Sequence, residues 1–254
     1  MTKKLIPGSE PVYFEGNSTG ILFIHGFTSS PFEMKPLSKY LMKHKYTFSI
    51  PLLKGHGTSP GDLVDCRWYE WFEQVKEALF EMRKRCKKII VIGQSTGASL
   101  ALHLAAHYQV EGVAALAPAL ILKEKKLKLL PVAAMFRRYQ NKPNGPDISD
   151  EEARKKAVTY DKTPLKTVRE LLDLYKHLKV DLPDIYTPVL LIHSEQDHVV
   201  DIKGAEYIYE KISSEDKQFL KLKNSFHVLT LDKEKEIVYR EIDNFVKRIA
   251  KQKP

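Results

Sequence analysis

The chain has 254 residues, 43% of them hydrophobic, enough to bury a full core and suited to one large α/β domain or one domain carrying an insert. After Met1 only Leu5 and Ile6 are apolar before the Pro7-Gly8 break, too short a stretch for a secretory leader, and no run approaches the roughly 18 apolar residues of a membrane span, so a soluble cytoplasmic protein is expected. The net charge of +9 invites a nucleic-acid reading, but residues 119–142 alone carry +6 and no nucleic-acid-binding motif accompanies them, which argues against such a partner.

Short apolar strands alternate with amphipathic stretches, the pattern of parallel βαβ units. The first strands are expected at residues 11–15 and 21–25, followed by the loop His25-Gly26-Phe27-Thr28 and a helix over 31–44 that opens on a proline. A strand over 47–51 and a helix over 67–85 come next. The strand over 88–92 runs into Gly93-Gln94-Ser95-Thr96-Gly97 and then a helix over 96–108, and a further strand is expected at 113–117.

The alternation then fails. About 70 residues between Pro118 and Pro188 hold no convincing strand, only helical segments broken at Pro131, at 141–146 and at Pro164. A loop of that length leaving the carboxyl edge of a sheet is expected to be a lid over the place where open α/β sheets bind ligands. Strands over 189–193 and 218–222 and helices over 202–212 and 233–251 complete the chain. Cys66 and Cys86 lie 20 apart in no metal-binding pattern, so neither a disulfide framework nor a zinc site is expected.

A serine between strand and helix is pushed out at the sheet's carboxyl edge, beside the free N–H groups of the helix start. The five-residue pattern is weak alone, since a Gly-Ser turn can simply link strand to helix. Its neighbours strengthen it. A serine nucleophile needs a neutral imidazole as base and a carboxylate to orient that imidazole. His227 lies in the loop after the last strand, and Asp197 in the loop after the strand at 189–193. Glu195 is the rival carboxylate, while Asp201 reads as a helix-start residue. His193, Glu195, Asp197 and His198 do not have usual helical ligand spacing, so no metal is expected there. The backbone N–H groups of Thr96 and Phe27 are the expected oxyanion donors, with His25 bracing the loop that holds Phe27. The order Ser, Asp, His is that of the elbow-bearing hydrolases.

Together, His25-Gly26-Phe27-Thr28, Leu53-Lys54-Gly55-His56-Gly57, the serine elbow, Glu195 to Val200 and Phe226 to Asp232 resemble the α/β-hydrolase superfamily. The closer resemblance is to its bacterial carboxylesterase and monoacylglycerol lipase group, and it covers nearly the whole chain. It implies an α/β-hydrolase fold: a mostly parallel central sheet flanked by helices, with residues 1–118 and 164–254 as the core and 119–163 as a small helical cap inserted after strand 6 of that fold. It also implies Ser95, His227 and Asp197 as catalytic residues, Phe27 and Thr96 as oxyanion donors, Phe27 and Gln94 as substrate contacts, and no cofactor.

The expected activity is a carboxylesterase cleaving short- to medium-chain acyl esters through an acyl-enzyme. The alternatives are a monoacylglycerol lipase, a serine peptidase or carbon–carbon hydrolase of the same fold, and a non-catalytic basic binding protein. Three departures from the group stand out: Gln94 where a hydrophobic residue is usual, Thr96 for Met or Leu, and Ala98 for a second glycine. Ala157 also stands where monoacylglycerol lipases of this group carry a glutamate, which favours a general carboxylesterase. The basic, amphipathic stretch 120–139 is expected to pack its apolar side on the acyl pocket, with weak contact to a membrane or micelle surface as the other reading.

Overall fold

The computed structural model describes residues 3–123 and 137–252. Its strands are β1 (Val12–Phe14), β2 (Thr19–Ile24), β3 (Thr47–Ile50), β4 (Lys88–Gln94), β5 (Gly112–Leu116), β6 (Tyr139–Asn141), β7 (Lys162–Pro164), β8 (Val189–Ser194) and β9 (Lys217–Leu222). The helices, numbered among the described residues, are α1 (Lys35–Leu41), α2 (Pro60–Leu63), α3 (Trp68–Arg83), α4 (Thr96–His107), α5 (Glu151–Lys156), α6 (Leu165–Asp181), α7 (Ile202–Lys211) and α8 (Lys235–Lys251).

Seven strands form one sheet in the order β1-β3-β2-β4-β5-β8-β9. Only the β1–β3 pair is antiparallel. The central strands read as unbroken apolar runs because both faces are covered, and successive side chains divide between those faces. Leu22, Ile24, Ile89 and Val91 pack with α3, α4 and α6 through Trp71, Val75, Leu100, Leu104, Leu174 and Leu178. Ile21, Phe23, Ile90 and Ile92 pack on the other side with α1 and α8, through Leu37, Leu41, Val238, Ile242 and Phe245. This is the mostly parallel, helix-flanked sheet expected.

Two local expectations are corrected. The helix expected over 31–44 is a 3₁₀ turn at Pro31–Glu33, the α-helix Lys35–Leu41 and a second 3₁₀ turn at Met42–His44. Pro36, which lacks an N–H, sits in the first turn of the α-helical part, where its missing donor costs least. The stretch between Pro118 and Pro188 also contains strands after all: β6 and β7 pair antiparallel, Tyr139 opposite Pro164 and Asn141 opposite Lys162.

The insertion leaves after β5, the fifth strand here. Its described part is this ribbon, helix α5 and the connecting turns, so the insertion is not wholly helical. Most of the amphipathic stretch, including Lys125, Lys126 and Lys128, lies outside the described residues. Among the described residues no helix is long and apolar enough to cross a membrane.

Candidate active site

Ser95 occupies the turn between β4 and α4 with φ +56° and ψ −120°, a conformation unfavourable for a residue with a side chain. The flanking glycines make the turn sterically feasible. A Cβ on Gly93 would lie 2.2 Å from the Gly97 carbonyl oxygen, and one on Gly97 would lie 2.2 Å from that of Ile24. The Ser95 N–H donates to the Leu116 carbonyl at 2.8 Å, which fixes the turn to the neighbouring strand.

The three sequence-predicted groups meet here. Ser95 Oγ lies 2.8 Å from His227 Nε2, and His227 Nδ1 lies 2.7 Å from Asp197 Oδ2. Asp197, not Glu195, is the carboxylate in contact; its other oxygen accepts the N–H groups of Val199 and Val200, both at 2.8 Å. Asp201 caps α7 by accepting from the Lys203 N–H, the helix-start role expected of it. Burial pushes the Asp197 carboxyl up, but the facing imidazole and the backbone donors outweigh it and hold the group below its ordinary value. Burial pulls His227 down, yet the Asp197 carboxylate outweighs that and leaves its pKa raised. His193, fully buried with Nε2 3.4 Å from Asp197 Oδ2, is pushed down to about 4 by burial and stays neutral.

Phe27 and Thr96 both line the cavity in front of Ser95. Among the described residues neither backbone N–H has an acceptor. Gly26 packs against the serine; a Cβ there would lie 3.3 Å from the Ser95 Cβ. His25 braces this loop, its Nε2 accepting from the Leu53 N–H at 3.1 Å and its Nδ1 2.9 Å from the Gly26 carbonyl. Gln94 lines the cavity, but its side-chain amide is engaged elsewhere. Nε2 donates to the His227 carbonyl at 2.9 Å, and Oε1 accepts from the Leu229 N–H at 3.2 Å. The side chain that lines the cavity thus also clamps the histidine loop.

Several site residues were not anticipated. Glu33, buried behind the Phe27 loop, accepts from the Gly26 N–H at 2.5 Å and from Ser29 Oγ at 2.6 Å, and burial pushes its carboxyl up to about 7. Lys142, which follows β6, donates to Thr28 Oγ1, and burial brings its ammonium down to about 8. The Asp147 carbonyl accepts from the N–H groups of His227 (3.0 Å) and Val228 (3.2 Å), while its carboxylate accepts from the His198 N–H at 3.0 Å. Asp232 accepts from Phe226 (2.6 Å), from Ser149 and from Asp150 (3.0 Å), fastening the histidine loop to the insertion a second time. Lys142, Asp147 and Asp232 lie in loops and Glu33 in a single 3₁₀ turn, positions that carry no periodic signal. Only Asp232, inside the Phe226 to Asp232 motif, was marked by the sequence.

The cavity has a volume of about 1410 Å³. Leu165 and Val168 form one apolar wall with Phe27 and Leu122, and Ile148, Val228 and Leu231 form another with Phe32 and Ala157. Lys142, Asn141 and Thr159 supply a polar side. The site can therefore hold an extended apolar group beside a serine hydroxyl already bonded to its base.

The Hydrolase_4 family, described as serine aminopeptidase, S33, matches residues 17–234. The chain belongs to this family. A thermostable monoacylglycerol lipase of Bacillus sp. (strain H-257) is 33% identical over 96% of both chains. A carboxylesterase of Bacillus subtilis (strain 168) is 26% identical, over 94% of this chain and 97% of that one. A solved structure reported for LipS and LipT, two metagenome-derived lipolytic enzymes, superimposes with a TM-score of 0.91 at 30% identity, covering 96% of this chain and all of the other. The monoacylglycerol lipase of Paleococcus ferrophilus, at 19% identity, shares the α/β-hydrolase fold with a TM-score of 0.82.

Proposed function

We propose that the chain is a serine carboxylic ester hydrolase working through an acyl-enzyme. The reading is carried by the unbroken chain from Asp197 through His227 to Ser95 at the floor of a largely apolar cavity. Ser95 Oγ attacks the ester carbonyl carbon while His227 Nε2 takes its proton. The N–H groups of Phe27 and Thr96 stabilise the oxyanion. The tetrahedral intermediate collapses, the C–O bond to the alcohol breaks, and His227 returns the proton to the leaving oxygen. Water, deprotonated by His227, then attacks the acyl carbon and releases the acid from Ser95. The acyl chain lies against Leu165, Val168 and Phe27, and residues 119–163 act as the cap over it. Short- to medium-chain esters are the substrate class, and the cytoplasm is the expected location.

A monoacylglycerol lipase is the second reading, favoured by the name of the relative at 33% identity. Ala157 in the cavity wall favours the general esterase instead, because it offers a glycerol hydroxyl no partner. An aminopeptidase is separated from these readings by experiment, since the cavity lining holds both cations, Lys142 and Arg137, and carboxylates, Glu33 and Asp147.

The test is a p-nitrophenyl ester series from acetate to palmitate beside monoacylglycerols and an aminoacyl p-nitroanilide, with wild type and Ser95→Ala. Hydrolysis of the shorter esters that vanishes in the variant supports the reading. Activity surviving in Ser95→Ala, or anilide cleavage faster than ester cleavage, overturns it.

A further inference from the structure

The far ends of α4 and α6, with Trp68 and Phe72 of α3, enclose a second hollow. His103 and His107 lie one turn apart on α4, so both imidazoles leave the same face of that helix, and His177 and Asp181 are spaced alike on α6. All four line a cavity of about 440 Å³. His103 stands eight residues beyond Ser95, about 12 Å along the helix axis, so the hollow is separate from the hydrolytic site.

Asp181 is its hub. One carboxylate oxygen lies 2.5 Å from His103 Nδ1 and the other 3.3 Å from His107 Nε2. His103, His107 and Asp181 each offer a ligand atom, all within 4.8 Å of one another. Donors bound to zinc at about 2.0–2.1 Å in a tetrahedron stand about 3.3 Å apart. The His107–Asp181 spacing matches that of a coordinated pair, and because His103 meets the other carboxylate oxygen, the Asp181 carboxylate must turn for one ion to meet both imidazoles. A His103–Asp181 pair would suffice to fasten the two helices. It leaves His107, 47% exposed beside the same carboxylate, without a task, whereas His177, 55% exposed, packs on Trp68 with ring centroids 5.0 Å apart.

We propose that His103, His107 and Asp181 form a binding site for a first-row divalent transition-metal ion of the zinc class. His177 or water completes the coordination. Two imidazoles and one carboxylate suit zinc, cobalt or nickel, whereas magnesium and calcium select all-oxygen sites. The ion staples α4, the helix that begins at Ser95, to the end of α6, and stabilises the folded chain by binding it in preference to the unfolded one. No step of ester hydrolysis passes through it.

The test is calorimetric titration of the full, chelator-stripped chain with zinc chloride at pH 7.5. Thermal melts and the visible spectrum with cobalt chloride accompany it. Wild type is expected to bind one ion, to melt at a higher temperature with zinc, and to show cobalt bands of a low-symmetry, four- or five-coordinate site. His107→Ala changes a half-exposed side chain, and its metal-free melt reports that it folds; it should weaken zinc binding at least tenfold and lose the cobalt bands, as should Asp181→Asn. No saturable binding by wild type, or binding unchanged in His107→Ala, overturns the proposal.

Discussion

The side-chain amide of Gln94 grips the loop of His227 from beneath, donating to the histidine's own carbonyl and accepting from the N–H of Leu229. Both partners are backbone groups in a buried place, where an unmatched donor or acceptor costs about 1–3 kcal/mol. Gln94→Leu restores the residue type usual in the related group but strands both groups. We expect kcat to fall about tenfold with KM nearly unchanged, together with a lower melting temperature. Steady-state kinetics and a thermal melt check it, and a variant equal to wild type in both would show the clamp to be idle.

The pH dependence follows from the opposing influences on His227. The base works as neutral imidazole, and Asp197 holds its pKa above the ordinary 6.5, so kcat/KM should rise with pH through a midpoint above 6.5. Asp197→Asn removes the charge that opposes burial and disfavours the working tautomer. Activity should drop about 10⁴-fold, and the residual activity should show its midpoint below 6.5. A midpoint that stays in place would mean that Asp197 does not set the titration.

Glu33 couples stability to pH in the opposite sense to most carboxylates. Its folded value of about 7 lies above the ordinary 4.5, so the folded chain holds this proton more tightly. The stabilisation is complete below about 4.5 and is lost as pH rises through 7. Glu33→Gln removes the dependence. The melting temperature of the variant minus that of wild type should therefore climb between pH 4.5 and 7 and level off above; a flat difference across that window contradicts the assignment.

Gly97 tests the elbow's steric basis without touching a reacting group. The methyl of Gly97→Ala would meet the Ile24 carbonyl at 2.2 Å, and only backbone can give way. We expect a loss of about 3 kcal/mol or more, read as a lower urea midpoint, with activity falling because Ser95 moves with the turn.

The parts of this molecule that could be read in advance are those written as repeated patterns. The seven sheet strands follow from apolar runs, and Ser95, Asp197 and His227 from their places after three of those runs. Strands β6 and β7 escape because each has three residues, they include Gln140, Asn141 and Lys162, and about 20 positions separate them. Nothing periodic marks such a pair. Glu33 and Lys142 escape for a related reason, since the burial of a residue in a short turn or loop is set by whatever folds over it. The one-turn spacing of His103 and His107 is plain in the sequence, but Asp181 reaches them only through the packing of α6 on α4.

The stitching of residues 147–150 to the loops of His227 and His198 limits how this cavity can breathe. If that rim were peeled back to admit a lipid, the Asp147 carbonyl would drag on the backbone of His227 and Asp232 would release the turn beneath it. The gap would open onto a disarmed serine. This side of the rim and the backbone of the catalytic histidine are therefore held by one shared set of hydrogen bonds.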